Sequence, residues 1–296
     1  MPKSESLDAR ISSTTSSNLE KFDARTFWQE HDRTLAQDGS PSDVTLSHDL
    51  YRGMPGWFNA YYAHFQQRAV IRLLQKCRLQ PGMRSLDIGC GTGRWSGLLL
   101  NLNLTPFGID IGEQALHYAA HRWHDAFFSC SVLPRLAFAN NSFELAISVV
   151  VLQHIPRAQQ PHALQEISRV LKPGGHLLVC ESVDTGDPSP HVFGNQSERW
   201  VEMFRSAGFC LIAQSACEYL PHIKVFQKAR SIWQGKAKSS PRQANVSQVA
   251  QVLRTHLLLA AVVRLVIIIS YPLEYLAAWI CPPRWARLAC FLLRKC

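Results

Sequence analysis

Between residues 81 and 220, short apolar runs alternate with amphipathic stretches. Phe143–Val151 is an apolar run, and Pro161–Leu171 carries apolar residues at helical spacing. Runs of the first kind are typical of parallel strands that are buried on both faces, and stretches of the second kind are typical of the helices that bury them. The alternation therefore predicts an α/β fold built on a doubly wound sheet with right-handed crossovers.

The two flanks of this region follow other patterns. Residues 1–25 are rich in serine and threonine and show no hydrophobic period, which predicts disorder. From residue 26 to residue 80, aromatic and aliphatic residues recur at helical spacing, which predicts an N-terminal helical cap. Residues 221–283 are first basic and then strongly apolar, and we expect them to form a helical insertion.

An apolar strand that ends in a carboxylate and runs into a glycine loop is the most informative motif of the chain. It reads Leu86-Asp87-Ile88-Gly89-Cys90-Gly91-Thr92-Gly93. Alternate glycines let the backbone turn sharply and let a ligand lie against the main chain. A carboxylate beside the loop would repel a pyrophosphate but attract an ammonium group, so Asp87 favours S-adenosylmethionine (SAM) over a dinucleotide. A glycine-rich turn without a ligand is the structural alternative.

Four blocks in the expected order resemble the class I SAM-dependent methyltransferases, in particular the small-molecule branch that includes the ubiquinone and menaquinone biosynthesis methyltransferases. The blocks are Leu86–Gly93, Gly108–Asp110, Leu136–Glu144 and Glu166–Gly175. The resemblance covers residues 81–220 and implies a Rossmann-like sheet of seven strands, the last of them antiparallel. Phe209–Ala213 then suits the sixth strand and residues 284–296 the last, with the helical insertion between them.

The resemblance implies SAM as the cofactor, held by the first two blocks and by the loop after the third strand. The expected cofactor-binding residues are Asp87, Gly89, Cys90, Gly91, Gly93, Asp110, Ile111 and Ser131. Asp87 would take the methionine ammonium group, and Asp110 would accept both ribose hydroxyls. Relatives often place an acid near Ser131 for the adenine amino group, and a serine hydroxyl can accept that hydrogen bond instead.

The acceptor side is predicted from three elements. His154 follows the fourth strand, where it can act as a general base or form a hydrogen bond beneath the substrate without proton transfer. Glu181, at the end of the fifth strand, is a candidate for the substrate wall or for a structural role. Trp57 and Tyr61 either close the pocket from the N-terminal helices or belong to the core, as an aromatic stripe at helical spacing also indicates.

The net positive charge of the chain comes from its C-terminal part. The net charge is +9, but residues 222–296 hold twelve Lys and Arg residues against one acid, Glu274, so residues 1–221 are slightly acidic. Basic residues beside an apolar helix suit an interfacial segment on an anionic membrane, and a substrate lid is the alternative. Arg264 lies within the apolar stretch and disfavours a membrane-spanning helix.

We expect no nucleic acid partner, because the tail carries no recognised motif and is too apolar for a phosphate-binding arm. Nine cysteines are scattered without a C-x-x-C pair, and the polar, serine-rich residues 1–22 do not resemble a signal peptide. These features predict reduced thiols and a cytoplasmic protein, peripheral to the inner face of a membrane if the tail binds lipid. No metal site is predicted, and the oligomeric state stays open.

Three functions are compatible with these patterns. The first is a SAM-dependent methyltransferase that acts on a small, lipophilic or membrane-associated acceptor. The second is a SAM-binding pseudoenzyme or membrane-associated adaptor that keeps the fold without turnover. The third is a nucleotide-sugar or NAD(P) oxidoreductase, which would bind NAD(P) but not SAM.

Overall fold

The computed structural model describes residues 23–33, 49–51, 54–183, 191–219, 253 and 256–296. These residues contain one sheet of seven strands in the spatial order β3-β2-β1-β4-β5-β7-β6. The strands are β1 (Arg84–Ile88), β2 (Thr105–Asp110), β3 (Phe127–Cys130), β4 (Phe143–Val149), β5 (Leu171–Ser182), β6 (Phe209–Cys217) and β7 (Leu288–Lys295). Strands β1 to β5 pair in parallel, and β7 enters antiparallel between β5 and β6.

Helices cover both faces of this sheet. The described helices are α1 (Ala24–Arg33), α2 (Gly56–Leu74), α3 (Arg94–Asn101), α4 (Glu113–Arg122), α5 (Gln160–Val170), α6 (Ser197–Ser206) and α7 (Leu257–Ile280). Phe58, Trp95 and Val263 bring α2, α3 and α7 into one apolar core, while Leu164 and Trp200 bring α5 and α6 into the other. The predicted fold, a doubly wound seven-stranded sheet with N-terminal helices and an inserted helix before the last strand, is confirmed.

The segment Lys172–Gly175 differs from its sequence pattern, which resembles a turn that ends a helix. In the structure α5 ends at Val170 and β5 already begins at Leu171. Phe143 pairs with Leu171, but the next pair joins Leu145 to His176, so the extra residues bulge out of the strand. The glycines of the segment give the backbone the freedom that this bulge requires.

The inserted helix is continuous through Arg264, Pro272 and Glu274, the three residues that interrupt its apolar run in the sequence. A single helix runs from Leu257 to Ile280 and includes Pro272. Proline lacks the amide proton of one helical hydrogen bond, but the packing of the helix against the domain keeps it intact. Glu274 is fully buried against the domain.

Two regions of the sequence analysis fall outside the described residues. Residues 1–22, most of the predicted disordered segment 1–25, are among them. The basic run at residues 221–252 is another, so its structure stays a prediction. Helix α1 begins at Ala24, two residues before the predicted start of the N-terminal cap.

Four cysteines form disulfides, so the prediction of fully reduced thiols is wrong for them. Cys180 and Cys290 lie opposite each other on β5 and β7, with Cα atoms 4.0 Å apart. Cys210 bonds to Cys296. Directly opposed residues of an antiparallel pair approach this closely, and that register cannot be read from cysteine spacing.

Candidate functional site

The loop after β1 forms a close cradle at the carboxyl end of the strand. Gly89, Gly91 and Gly93 have positive φ angles of 66°, 52° and 80°. A Cβ atom at Gly89 would overlap the side chain of Val151, and a Cβ atom at Gly93 would lie 2.7 Å from Cδ1 of Trp123. Glycine alone fits these positions without displacing a neighbour, so the main chain itself forms the surface of the loop.

Asp110 fastens this loop to the end of β2. Its Oδ2 accepts a hydrogen bond from the Gly91 amide, and its Oδ1 accepts one from the Gly112 amide, both at 2.8 Å. The carboxylate thus lies between two backbone amides of neighbouring strand ends. This is the edge of a doubly wound sheet at which ligands bind.

Asp87 is almost completely buried, with 1% of its surface exposed. Its Oδ2 accepts a 2.7 Å hydrogen bond from the Ser96 hydroxyl of α3. Burial raises the pKa of Asp87 to about 7; the Ser96 bonds oppose this shift, and Asp49 and Asp110 add to it. A cationic ligand would stabilise the ionised carboxylate that the protein alone disfavours.

Arg94, the first residue of α3, brings a buried cation to these acids. Its Nη2 donates a 2.8 Å hydrogen bond to Oε1 of Gln66, but its Nε and Nη1 have no hydrogen-bond partner among the described residues. Burial lowers the pKa of Arg94, while Asp49 and Asp87 act in the opposite direction. Buried N–H groups are seldom left unpaired, so these two donors indicate a polar or anionic ligand.

The sequence analysis missed Arg94, although one signal was available. Cations are disfavoured at the N-terminus of a helix, because the helix dipole is positive there. An arginine that directly follows the third glycine of a ligand loop therefore indicates that an anion is bound nearby.

Two acids from the N-terminal region complete the site. Asp49 accepts hydrogen bonds from the amide and the hydroxyl of Thr92, at 3.2 and 2.8 Å. Asp32 of α1 accepts hydrogen bonds from the amides of Gln114 and Ala115, both at 2.8 Å, in the first turn of α4. No sequence signal identified these acids, because they lie 43 and 82 residues from the donors nearest to them in the fold.

His154 lies in a 3₁₀ turn after β4, among aromatic rings. Its ring centroid is 4.7 Å from that of Trp28 and 5.6 Å from that of His191. Nδ1 lies 2.8 Å from the His191 carbonyl oxygen, which can only accept, so we assign the proton to Nδ1. Burial lowers the pKa of His154 to about 4. The imidazole is therefore neutral near pH 7, and its role as a base stays a prediction.

Glu181 holds the turn that carries His154. The carboxylate is fully buried, and its Oε1 accepts hydrogen bonds from the amides of Val151 and Leu152 at 3.1 and 2.8 Å. Its Oε2 accepts one from the Gln153 amide at 3.0 Å. Burial raises the pKa of Glu181 to about 8 although the three amides oppose that shift. The carboxylate oxygens contact backbone, and a place for Glu181 on the substrate wall stays a prediction.

The remaining predicted cofactor residues border β1, β2 and β3. The Ser131 amide donates a 2.9 Å hydrogen bond to the carbonyl oxygen of Asp110. Ile111, which follows Asp110 in sequence, is half-buried. Cys90 is buried in the glycine loop. Burial raises the pKa of the Cys90 thiol well above its usual value, and Asp87 adds to the shift. Cys90 is thus an unreactive packing residue whose backbone belongs to the loop.

The predicted pocket aromatics lie on α2. Tyr61 is fully buried, and its hydroxyl donates a 3.3 Å hydrogen bond to Oε2 of Glu274 on α7. Burial raises the pKa of Tyr61 above its usual value, and Glu274 adds to the shift. Trp57 is half-buried against the same core. These contacts join α2 to α7, and contact of either aromatic residue with a substrate stays a prediction.

Comparison with known proteins agrees with this geometry. Residues 86–179 match a family model described as a methyltransferase domain. The matched segment begins in β1 and ends in β5, so it contains the glycine loop, Asp110 and His154.

Two curated relatives are similar to this part of the chain. Sterol methyltransferase-like 1 from Botryococcus braunii is 31% identical over 157 residues, which are 49% of this chain and 38% of that protein. Probable tRNA methyltransferase 9B from Homo sapiens is 34% identical over 121 residues, which are 40% of this chain and 26% of that protein. The chain thus spans well under half the length of both relatives.

Two solved structures share the fold. The crystal structure of the [4+2]-cyclase SpnF has a TM-score of 0.53 at 21% identity and covers 77% of this chain and 80% of its own. Phosphoethanolamine N-methyltransferase 2 of Haemonchus contortus, in complex with SAM, has a TM-score of 0.52 at 21% identity and covers 87% of this chain and 60% of its own. The family match and the loop geometry together support SAM as the cofactor of this domain.

Proposed function

We propose that the protein is a class I SAM-dependent methyltransferase that transfers a methyl group from SAM to a small lipophilic acceptor, because residues 86–179 match a methyltransferase domain. The observation that carries the proposal is the presence, on either side of one glycine loop in sequence, of a buried acid, Asp87, and of two buried guanidinium nitrogens of Arg94 that have no partner within the described part of the chain. The methionine part of SAM is a zwitterion with an ammonium and a carboxylate group. Its two charges complement those of the loop.

Each residue of the loop has a defined task in this assignment. Asp87 binds the ammonium group, and Arg94 binds the carboxylate through Nε and Nη1. Asp110 accepts hydrogen bonds from the ribose hydroxyls, as an acid at this strand end does for dinucleotides. Ile111 and Ser131 border the adenine. None of these groups needs to move a proton.

When bound, SAM supplies an electrophilic methyl group on a sulfonium. The chain must then align the acceptor and exclude water, a proximity effect worth up to ~7–11 kcal/mol. The turn at Leu152–His154 is suited to this task because the Glu181 carboxylate accepts hydrogen bonds from three consecutive backbone amides, those of residues 151 to 153. Trp28 and His191 surround its imidazole with further rings.

The character of these surroundings supports a small lipophilic acceptor. The rings around His154 are aromatic and the imidazole is neutral, which suits an apolar molecule better than a charged one. A nucleic acid acceptor, as named for the tRNA relative, is held through phosphate contacts by exposed cations. We place nucleic acid outside the proposal, because the basic tail of this chain carries no recognised nucleic-acid-binding motif and is strongly apolar.

A second candidate is a SAM-binding protein without methyl transfer, either a pseudoenzyme or a membrane-associated adaptor. The similarity in fold to a protein described as a [4+2]-cyclase favours it. One fold can carry several functions, and the residues of the site rather than the fold decide among them.

Calorimetric titration with SAM, followed by transfer of a radiolabelled methyl group to a lipid extract, tests the proposal. We expect the wild type to bind SAM and label a lipid, and Asp87→Ala to bind at least tenfold more weakly. Asp125→Ala removes an exposed acid and serves as the control. Absence of SAM binding by the wild type would overturn both candidates. SAM binding without labelling of any lipid would favour the second.

A further inference from the structure

The side of α7 that faces away from the domain is apolar. We call this surface the outer face and define it by six residues, each more than half exposed. They are Leu258, Val262, Leu265, Ile268, Trp279 and Ile280. A helix on the surface of a water-soluble domain normally presents polar residues to its surroundings. The outer face does the opposite, so water is a poor environment for it.

Two polar side chains of the same helix point inward. Ser270 and Glu274 are buried with Val263 and Ile267 along one stripe. Oε1 of Glu274 accepts a 2.7 Å hydrogen bond from the Tyr219 amide, and Oε2 accepts one from a tyrosine hydroxyl of α2. The polarity of the helix is therefore the reverse of that of an ordinary surface helix, since its carboxylate lies in the protein interior and large apolar side chains lie on its outside.

The chain segment that contains the outer face carries a net positive charge. Glu274 is the only acidic side chain in residues 222–296, and it is buried. Of the twelve basic residues of this segment, Arg287 pairs with Glu218, and the other eleven have no acid in the segment to balance them. Seven of these precede the helix, in residues 222–254. Arg264 is exposed on the helix itself, and its long side chain can extend along the apolar surface and place the guanidinium group among lipid headgroups. An apolar surface with a basic border complements an anionic lipid bilayer.

The fold also defines how α7 meets such a bilayer. Among the described residues, α7 is the one helix long and apolar enough to cross a membrane, with 24 residues and a mean hydropathy of 2.1. Yet β6 ends at Cys217 and β7 begins at Leu288 in the same sheet, where these two residues pair. A single helix that crossed a bilayer would place these two residues on opposite sides of it, so the pairing excludes such a crossing. The buried contacts of Glu274 also hold the helix lengthwise on the domain.

We propose that the outer face of α7 docks in the plane of one leaflet of an anionic membrane. The apolar residues enter the boundary between headgroups and acyl chains, and the exposed Arg264 and Arg284 contact the headgroups. Trp279 and Trp285, which are 81% and 65% exposed at one end of the helix, lie at the depth that tryptophan prefers. This membrane attachment goes beyond methyl transfer and does not depend on it.

Sedimentation of the full-length protein with vesicles tests the docking surface. The vesicles contain phosphatidylcholine alone or mixed with phosphatidylserine, at low and high salt. The double variant Leu265→Glu with Ile268→Glu places two carboxylates on the outer face. Phe127→Glu is the matched control, because Phe127 is as exposed as Ile268, at 58%, but lies on β3 at the other edge of the sheet.

We expect the wild type and Phe127→Glu to sediment with the phosphatidylserine vesicles, and high salt to weaken their binding. We expect the double variant to bind at least tenfold more weakly. Failure of the wild type to sediment would overturn the proposal, and so would equal loss in the control. A wild-type dimer that the double variant converts to a monomer, without vesicle binding, would identify a second copy as the occupant. SAM titration of each variant verifies that it is folded.

Discussion

Ser96 donates a 2.7 Å hydrogen bond to Oδ2 of Asp87, in surroundings that otherwise disfavour the ionised carboxylate. The pKa of Asp87 is about 7 in the protein without ligand, and an ammonium group binds only the ionised form. SAM affinity should therefore fall about tenfold for each pH unit below 7 and level off above it. Calorimetry across this range checks the prediction, with Asp87→Asn expected to bind weakly and without the pH dependence. A level wild-type profile would contradict it.

A comparison of alanine variants at Gly89 and Gly82 distinguishes the effect of backbone strain from that of steric overlap. Both have a positive φ, but a Cβ atom at Gly89 overlaps Val151, whereas one at Gly82 meets nothing within 4 Å. Alanine at either position should lower the free energy of unfolding by ~1–2 kcal/mol through its left-handed conformation. Only Gly89→Ala should also weaken SAM binding, by at least tenfold, because Val151 must move. Equal SAM affinities of the two variants would argue against the cradle.

Asp32 couples α1 to the cofactor site. Asp32→Ala removes the acceptor for the amides of Gln114 and Ala115, and a lost helix cap costs ~0.5–2 kcal/mol. The same carboxylate packs on Gly112, whose amide donates a hydrogen bond to Asp110, the acid proposed to bind the ribose, so SAM affinity should fall as well. Urea denaturation and SAM titration measure the two effects. Glu30→Ala, an exposed change on the same helix, should leave both unchanged.

His154 should contribute to turnover without acting as the base. A pKa of about 4 makes the imidazole a weak proton acceptor, and Nδ1 is engaged with the His191 carbonyl. We expect His154→Gln to lower kcat less than tenfold and to leave the pH–rate profile unchanged. His162→Gln, on the surface, is the control. Removal of a general base costs ~10²–10⁴ in rate, so a loss of that size together with a lost limb of the profile would identify His154 as the base.

Glu181 should make the protein without ligand less stable as the pH rises. Its folded pKa of about 8 lies above the ordinary value of 4.5. The stability that such an acid contributes is fully present below about pH 4.5 and is lost as the pH rises through about 8. Urea denaturation at several pH values across this window measures the slope. Glu181→Gln should flatten it, and Asp87→Asn should flatten the part below pH 7. A stability that increases with pH across the window would contradict the assignment.

The sheet could be predicted because its signals are local. The apolar runs that form β4 and the glycine loop after β1 each lie within a few neighbouring residues, and the order of elements then fixes the parallel topology. Lys172–Gly175 misled the prediction because the same glycines serve a turn or a strand bulge. Which of the two forms depends on the register of β4 against β5.

Half of the site could not be predicted, because its residues meet only in the folded chain. Asp32 reaches the amide of Gln114 across 82 residues, and no pattern around either residue anticipates the contact. The disulfide between Cys180 and Cys290 spans 110 residues and depends on the pairing of β5 with β7. Arg94 is different, since its position after the third glycine carried a signal that the helix dipole explains.

The excursion between β6 and β7 begins and ends at paired residues, Cys217 and Leu288. The entropy of closing a flexible loop grows with the logarithm of its length, so each doubling costs only ~0.6 kcal/mol. Changes in the length of this excursion therefore disturb the sheet little, whereas the buried stripe of α7 must keep its contacts with the domain. The chain between β6 and β7 can thus vary in length around a helix whose buried face is fixed by the core.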